Sequence, residues 1–465
     1  MPAIIPRSKK KKGSSKNGDV VKAAAQRHFD WKSLALLALS GAITGLSAPG
    51  FDQWYLVWIG LVPLLLGIYS SPSALRAFLR ATVFGIAYNA VYISWLLNLQ
   101  PLDWLGFNGW QGWAMAAFAL AFHSVHQGAI VGSFGLIARL LPVNGSIFPR
   151  KLNNHWQLPG LLVLPLLWEL VVNRLGNAHC LTGAPWTMLE YSQYRQLPLI
   201  QIAGIIGGVG IGALIVMTNT AIAAYTATFL KGRQLNQIAA PSKPAGFIQL
   251  LAVAILIALI TAGGAMRLAA TKEEATLPVS VLQGNINIDR QKTAHRFTLE
   301  DLLKKYLPMA EQCGQGLTIW TESSLPTYLN EQVQTKRVLS ELAQRRGMDM
   351  IVGAMDKDAL DRPYNSAYGI TNSGTFCSEA YHKRYLVPFG EYTPALFQNM
   401  PEWMRRMTNT PAGGGFESGN KPCVLPLRSA RVAALICFET LSPELVSASV
   451  RDGGQLIVNV SDLAW

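Results

Sequence analysis

Arg431-Val-Ala-Ala-Leu-Ile436, in Arg431-Val-Ala-Ala-Leu-Ile-Cys-Phe-Glu439, reads as a buried strand that delivers a thiol, Cys437, at its end. A helical stretch near 442–450 follows, and then a second apolar run, Leu456-Ile-Val-Asn-Val460. The same alternation extends upstream. Pro278-Val-Ser-Val-Leu-Gln-Gly284, Leu317-Thr-Ile-Trp320 and Met348-Asp-Met-Ile-Val-Gly-Ala354 are strand-like runs, with helices expected over about 291–313 and 331–346. Strands alternating with helices specify an α/β layered domain. The Gly- and Pro-rich stretch 397–422 reads as a long loop, of a length that is usually functional, and is a candidate lid.

Two further polar residues sit where strands open onto a sheet edge. Glu322 follows the run ending at Trp320 and precedes Pro326. Lys383 lies in Tyr381-His-Lys-Arg-Tyr-Leu-Val-Pro-Phe-Gly-Glu391, a segment punctuated by Pro and Gly. The ends of strands line the usual ligand crevice of α/β folds. A carboxylate base, a thiol nucleophile and an ammonium facing a developing oxyanion together suit acyl transfer. Each residue alone reads more simply: a Cys after an apolar strand as core, a Glu before Ser-Ser-Leu-Pro as a turn, a Lys as solvated.

Ahead of this domain the composition is that of a membrane protein. The 465 residues are 50% hydrophobic and only 14% charged, against about 25% charged in a soluble domain. Seven apolar stretches, at 34–49, 54–70, 77–99, 111–138, 158–173, 197–230 and 248–268, predict about seven helices between 33 and 270. The sixth is long and is expected to tilt or break at Gly207-Gly208. Lys and Arg alternate between loops. Residues 1–32 carry nine against Asp19 and Asp30, hence +7 of the +13 net charge, and Arg76, Arg80, Arg139, Arg150, Lys151, Lys231, Arg233 and Lys243 fall in loops on the same side. The opposite loop at 98–110 has none. The N-terminus is therefore expected to be cytoplasmic and the domain at 271–465 extracytoplasmic. The basic tail reads as a topology signal that contacts anionic lipid rather than nucleic acid. Glu169, His123 and His126 are the ionisable exceptions inside the spans. Cys180, Cys313, Cys377, Cys423 and Cys437 are an odd set without metal-type spacing, so at least one thiol is expected to stay free. No metal cluster, Walker motif or dinucleotide fingerprint is present, and no cofactor is expected.

The motifs around Glu322, Lys383 and Cys437 resemble the nitrilase superfamily, whose members use a Glu-Lys-Cys triad on an αββα sandwich. The membrane half narrows the likeness. Leu46-Ser-Ala-Pro-Gly-Phe-Asp-Gln-Trp-Tyr-Leu-Val-Trp-Ile-Gly-Leu-Val-Pro-Leu-Leu65, Ala184-Pro-Trp-Thr-Met-Leu-Glu-Tyr-Ser-Gln193 and Gln201-Ile-Ala-Gly-Ile-Ile-Gly-Gly208 resemble the apolipoprotein N-acyltransferase family. The resemblance implies a multi-span α-helical bundle carrying an outer nitrilase-like domain. It implies that Glu322 is the general base, Lys383 the transition-state stabiliser and Cys437 the nucleophile, with Glu391, Glu439 and Phe438 supporting them or binding substrate. Phe438 stands where the family usually has Tyr, the loop 285–292 lacks the family's Trp, and Ser461-Asp-Leu-Ala-Trp465 departs from the Ser-Asn-Asp-Ala-Trp motif. Family members continue past the position of Trp465 with further strands and a last membrane helix. The sandwich is therefore expected to be incomplete at its C-terminus, the chain being a fragment or a damaged copy.

The implied reaction takes an acyl chain from a phospholipid, holds it as a thioester on Cys437, and passes it to the N-terminal diacylglyceryl-cysteine of an apolipoprotein in the bacterial inner membrane. Two rivals use the same residues differently. A membrane-tethered amidase would pass the acyl group to water, and a transporter-like protein would form no covalent intermediate.

Overall fold

The computed structural model describes residues 31–100, 102, 107–144, 150–152, 155–178, 185–230, 242–272, 276–285, 298–387, 391–392 and 415–461. The basic tail up to residue 30, Cys180, most of the loop 285–292, the lid stretch 397–414 and residues 462–465 lie outside them.

Each of the seven apolar stretches contains a helix. These are α1 (Trp31–Gly45), α2 (Val62–Tyr69, entered through short turns from Trp54), α3 (Ala74–Tyr92), α4 (Trp110–Leu140), α5 (Gly160–Trp168), α6 (Ala203–Ala227) and α7 (Lys243–Ala270). Among the described residues, α4, α6 and α7 are long and apolar enough to cross a membrane. At about 1.5 Å per residue they exceed the ~30 Å hydrocarbon core. The other four fall short of the expected spans for local reasons. α1 has 15 residues. α2 is cut to 8 by Pro63 in its first turn. α3 carries Arg76 and Arg80 in its opening turns. α5 contains Pro165 and passes into π-helical turns over Glu169–Ala178. Within α6 the expected break occurs at Gly207, whose φ of 72° and ψ of 170° leave the helical region. Val143–Asn144, Arg150–Leu152 and His155–Pro159 add a small three-stranded sheet that the pattern did not announce.

Small residues let the helices approach. A Cβ on Gly128 of α4 would lie 2.9 Å from the Ile86 nitrogen of α3, and one on Gly135 would lie 2.5 Å from Ala81 Cβ. In hydrocarbon, where lipid tails match side chains in polarity, such close packing drives helix association. The seam is continued by a buried core of Leu61, Leu64, Ile68, Phe84, Phe134 and Trp168. α7 instead exposes Phe247, Ile248, Leu251, Ile255 and Leu259, an apolar surface suited to acyl chains.

Polar contacts distinguish the two ends of the bundle. At one end, Arg80 Nη1 donates to Gly67 O at 3.1 Å and Arg139 Nε donates to Ser71 O at 3.0 Å. Both arginines thus clip the turn after α2. At the other end, Arg195 and Asp52 form a 2.9 Å ion pair. Between them, Asn219 of α6 repairs a broken turn ahead of Pro63. Its Nδ2 donates to Val57 O and its Oδ1 accepts from Leu61 N, each at 2.9 Å. The side chain replaces the i→i−4 bond that residues 57 and 61 would otherwise make.

The α/β domain begins with β1 (Val279–Leu282), α8 (Leu299–Glu311), β2 (Gly316–Trp320), β3 (Leu325–Tyr328), α9 (Val333–Arg346) and β4 (Met348–Lys357). It continues through β5 (Pro363–Ile370), β6 (Tyr381–His382), β7 (Val424–Pro426), β8 (Arg431–Ile436), α10 (Pro443–Arg451) and β9 (Leu456–Val460). One sheet runs β1-β2-β4-β5-β6, with β3 beside β4; a second runs β7-β8-β9. β1, β2 and β4 are parallel, as are β8 and β9. The helix expected from 291 starts at Leu299, where Thr298 and Asp301 form a capping box. The four short or polar strands β3, β5, β6 and β7 were not anticipated.

Strand alternation assigns the layers. Leu317 and Ile319 of β2 face Val432, Ala434 and Ile436 of β8 between the sheets. Trp320 points the other way, into a core with Leu302 and Tyr306 of α8 and Leu339 and Leu342 of α9. α10 packs against β8 from the far side, completing a helix–sheet–sheet–helix order.

The repair at residue 219 is directly testable. Asn219→Leu leaves the Val57 carbonyl and Leu61 N–H unpaired, at about 1–3 kcal/mol for each buried group. Thermal unfolding of the detergent-solubilised protein should fall by several degrees. Thr261→Val, which removes only a hydroxyl bonded to its own helix at Ile257 O, should be close to neutral.

Candidate active site

Glu322, Lys383 and Cys437 come from three separate strand ends and converge. Glu322 sits in the Thr321–Ser324 turn between β2 and β3. The turn is pressed against β4 because residue 353 is glycine: a Cβ there would lie 2.3 Å from Thr321 O and 2.8 Å from Glu322 Cα. Ser324 Oγ donates to Gly353 O at 2.9 Å, and Ser323 takes a positive φ of 51° to complete the turn.

Lys383 follows β6. Its backbone N–H donates to Asn365 O at 2.8 Å, and its carbonyl accepts from Gly419 N at 2.8 Å. The side chain is 1% exposed. Its Nζ donates to Glu322 Oε1 at 3.1 Å and to Glu391 Oε1 at 2.8 Å. Burial pulls this lysine's pKa down, but the charges of Glu322 and Glu391 outweigh it and hold it above the ordinary value. The group is thus a fixed ammonium. Glu391 is anchored in turn through Oε2, which accepts from Val387 N at 2.9 Å.

Cys437 leaves β8 with a φ of 54°, in the left-handed region that a side chain rarely occupies and that clusters at functional sites. The thiol is half-buried, and Glu322, Ser461 and Lys383 act on it. Burial pushes its pKa up and the Glu322 charge pushes it further, against the opposing pull of Ser461 and Lys383. At neutral pH the sulfur is therefore a protonated thiol that feels the Glu322 carboxylate. The arrangement suits proton transfer during attack rather than a standing thiolate.

The two supporting carboxylates named from the sequence do different things. Glu391 belongs to the ammonium's shell. Glu439 is fully buried and accepts four hydrogen bonds: from Tyr381 OH at 2.7 Å, Ile436 N at 2.7 Å, Arg384 N at 2.6 Å and Tyr385 N at 3.1 Å. It ties the residues after Lys383 to the strand before Cys437, and burial raises its pKa against those bonds. Phe438 stacks on Tyr385, with centroids 5.6 Å apart, and meets Trp186 of the helical half edge-on at 6.1 Å.

Two contributors were not singled out beforehand. Asn365 Nδ2 donates to Glu322 Oε1 at 2.8 Å and to Glu391 Oε1 at 2.9 Å. It thereby sets the distance between the two carboxylates. The signal was a buried amide inside Tyr364-Asn-Ser-Ala-Tyr-Gly-Ile370, a run that alternates like a strand but was not read as one. Trp186, in the quoted Ala-Pro-Trp motif, had no assigned partner.

Gly353→Ala tests the close approach. Its Cβ forces the Glu322 turn off β4, and a misplacement of about 1 Å typically costs on the order of 10²-fold in rate. Acylation of the thiol should slow by that factor, while circular dichroism stays unchanged. A wild-type rate would mean that the turn is not held by this contact.

Residues 40–221 match the apolipoprotein N-acyltransferase N-terminal domain family, and residues 278–465 match the carbon-nitrogen hydrolase family. The chain is 29% identical to an apolipoprotein N-acyltransferase of Geobacter metallireducens over 92% of this chain and 77% of that one. A Rhodopseudomonas palustris protein of the same name is 26% identical over 94% and 79%. One from Bradyrhizobium diazoefficiens is 31% identical over 67% and 58%. Among solved structures, a carbon-nitrogen hydrolase from Helicobacter pylori G27 is similar at 17% identity and a TM-score of 0.27, over 40% of this chain and 59% of that one, too slight a likeness to carry weight. One family model thus covers the helical half and the other the α/β half, and the chain is similar to apolipoprotein N-acyltransferases along about nine-tenths of its length.

Proposed function

We propose that this protein N-acylates the N-terminal diacylglyceryl-cysteine of apolipoproteins, using a phospholipid as donor and Cys437 as the covalent carrier. The observation that carries this reading is the contact between Phe438, the neighbour of the nucleophile, and Trp186 of the membrane half. This contact supports a route by which lipid-anchored substrates reach the thiol from the membrane half.

In the first half-reaction Cys437 Sγ attacks an ester carbonyl of the phospholipid while Glu322 takes the thiol proton. The new oxyanion is stabilised by the Lys383 ammonium. Collapse breaks the C–O bond, and Glu322 returns the proton to the departing lysophospholipid alkoxide. In the second half-reaction the α-amine of the acceptor attacks the thioester. A C–N bond forms, the C–S bond breaks, and the amine proton passes through Glu322 to restore the thiol. Glu391 and Asn365 hold the ammonium and the base in place throughout, and Glu439 fixes the backbone between Lys383 and Cys437.

The placement in the bacterial inner membrane is part of the same proposal. Residues 1–32 form a cytoplasmic tail, 33–270 the membrane domain and 271–465 the extracytoplasmic catalytic domain. The clustering of Arg80 and Arg139 at one end of the bundle supports this orientation, because Trp186 and the catalytic domain lie at the other.

A reporter fused after residue 275 should be active outside the cytoplasm and one fused at 238 inside; the same side for both would refute the topology. Membranes incubated with a clickable phospholipid should yield a hydroxylamine-labile acyl-enzyme that Cys437→Ser abolishes. Glu322→Gln and Lys383→Met should each cost about 10²- to 10⁴-fold. Their pH dependence separates them. Since the Glu322 charge raises the thiol pKa, Glu322→Gln lowers it, and raising the pH through it supplies thiolate directly. Activity of Glu322→Gln should recover in part on the alkaline side, whereas Lys383→Met should not recover.

A further inference from the structure

Outside the catalytic centre, the domain brings two more thiols together. Cys377 lies in the turn between β5 and β6, and Cys423 lies immediately before β7. Several independent contacts bring these segments side by side. Glu379 and Lys421, each two residues from its cysteine and offset in opposite chain directions, form a 2.7 Å ion pair. That is the cross-strand spacing of an antiparallel pair in which residue 377 stands beside residue 423. The same two segments are joined again where Gly419 N donates to Lys383 O at 2.8 Å. From the β5 side, a Cβ placed on Gly369 would lie 2.7 Å from Cys377 Sγ and 3.3 Å from Leu425 Cβ. The Cys377 sulfur therefore occupies the gap between β5 of the first sheet and β7 of the second. Both cysteines pack against the same inter-sheet core, and both are half-buried. The thiols are close enough that Cys423 adds to the effect of burial in pushing the Cys377 pKa up to about 11.

We propose that Cys377 and Cys423 form a disulfide that joins the two sheets and closes the segment carrying Lys383 and Glu391 into a covalent loop. The proposal rests on the extracytoplasmic placement given above, since that compartment favours disulfides. The two thiols lose two protons and two electrons as the S–S bond forms, and a disulfide oxidant accepts them by exchange and leaves as its dithiol. With both thiols protonated near neutral pH, this catalysed route is favoured over spontaneous oxidation.

The bond accounts for the sorting of thiols in the domain. In the structure Cys313, Cys377, Cys423 and Cys437 are all free thiols; on this proposal Cys377 and Cys423 are consumed as a pair, Cys313 stays buried against α8 with its sulfur bonded to Met309 O, and Cys437 remains free for chemistry. A clamp of this kind holds the two ends of the 377–423 segment together beside Lys383. Its effect is on the stability and reach of the Lys383 segment, not on the triad's proton transfers.

The experiment is thiol trapping in membranes that carry the chain. Cells are quenched with N-ethylmaleimide, and the protein is digested without reductant and analysed by mass spectrometry. A Cys377–Cys423 linked peptide is expected, with Cys313 and Cys437 recovered as maleimide adducts. A parallel sample is treated with diamide before quenching. If the link appears only after diamide, the segments are paired but the domain faces a reducing compartment. The native disulfide and the proposed orientation then both fail. If no link forms even with diamide, the pairing itself is wrong, and the orientation stands untouched. As a second readout, the Cys377→Ser/Cys423→Ser double variant should still form the acyl-enzyme at neutral pH. Its inactivation temperature should drop by several degrees, and reductant should produce the same drop in the parent but none further in the variant. A variant as heat-stable as the reductant-free parent would overturn the clamp.

Discussion

The ammonium of Lys383 is buried to 1% exposure, and its burial is possible only because two carboxylates share it. An isolated charge at that depth would cost several kcal/mol and would lose its proton instead. Glu322 and Glu391 reverse that outcome, and Asn365 bonds to both of them, so the four side chains form one closed polar cluster between strand ends. Removing a single partner leaves another buried and uncompensated, at about 3–5 kcal/mol. Much of the local architecture can be understood as serving this cluster. Gly353 admits the Glu322 turn, β6 presents Lys383 beside Asn365, and Glu439 secures the backbone that follows Lys383.

The same cluster divides the labour of the chemistry. Glu322 is bonded to the ammonium and to the Asn365 amide, so its position is defined from two sides. The thiol is held protonated by burial and by the carboxylate beside it. A nucleophile that becomes reactive only when a carbonyl is in place and its proton can move is protected from wasteful alkylation or hydrolysis. The strained backbone at Cys437 aims the sulfur out of its strand. Its neighbour Phe438 faces the other way, against Tyr385 and the membrane-half Trp186. Sulfur and ring thus look toward the carboxylate cluster and the bundle respectively.

The helical half obeys a different physics. Its helices approach through glycines rather than through large interdigitated side chains, and its irregular turns are closed by side chains such as Asn219 because hydrocarbon offers backbone groups no partner. The exposed apolar face of α7 and the arginines clipped to the turn at 67–71 complete a body with a lipid-facing side and a polar end. These features leave the opposite end of the bundle, with Trp186 and Asp52, for the α/β domain and its substrates.

Periodicity made the main strands and helices of both halves legible, because β2, β4 and β8 are apolar runs buried on both faces and β9 is an apolar run with one face exposed. The seven apolar segments were equally visible, since transfer to lipid depends on composition before geometry. What composition could not determine was length in space. Pro63, Pro165 and the π-helical turns shorten helices whose apolar runs look continuous, and among the described residues three helices are both long and apolar enough to span. The triad's members were recognisable as residue types at strand ends together with a family likeness. Their convergence was not, because residues 322, 383 and 437 meet only when two sheets pack face to face. Asn365 escaped notice for the same reason: a polar residue in a short strand looks exposed until the opposite layer covers it. The approach of Cys377 to Cys423 is likewise a property of the packed sheets, since nothing in 45 intervening residues marks the two ends as neighbours. Local periodicity is written along the chain, whereas contacts between layers depend on how those layers dock, and that docking is decided by the whole core at once.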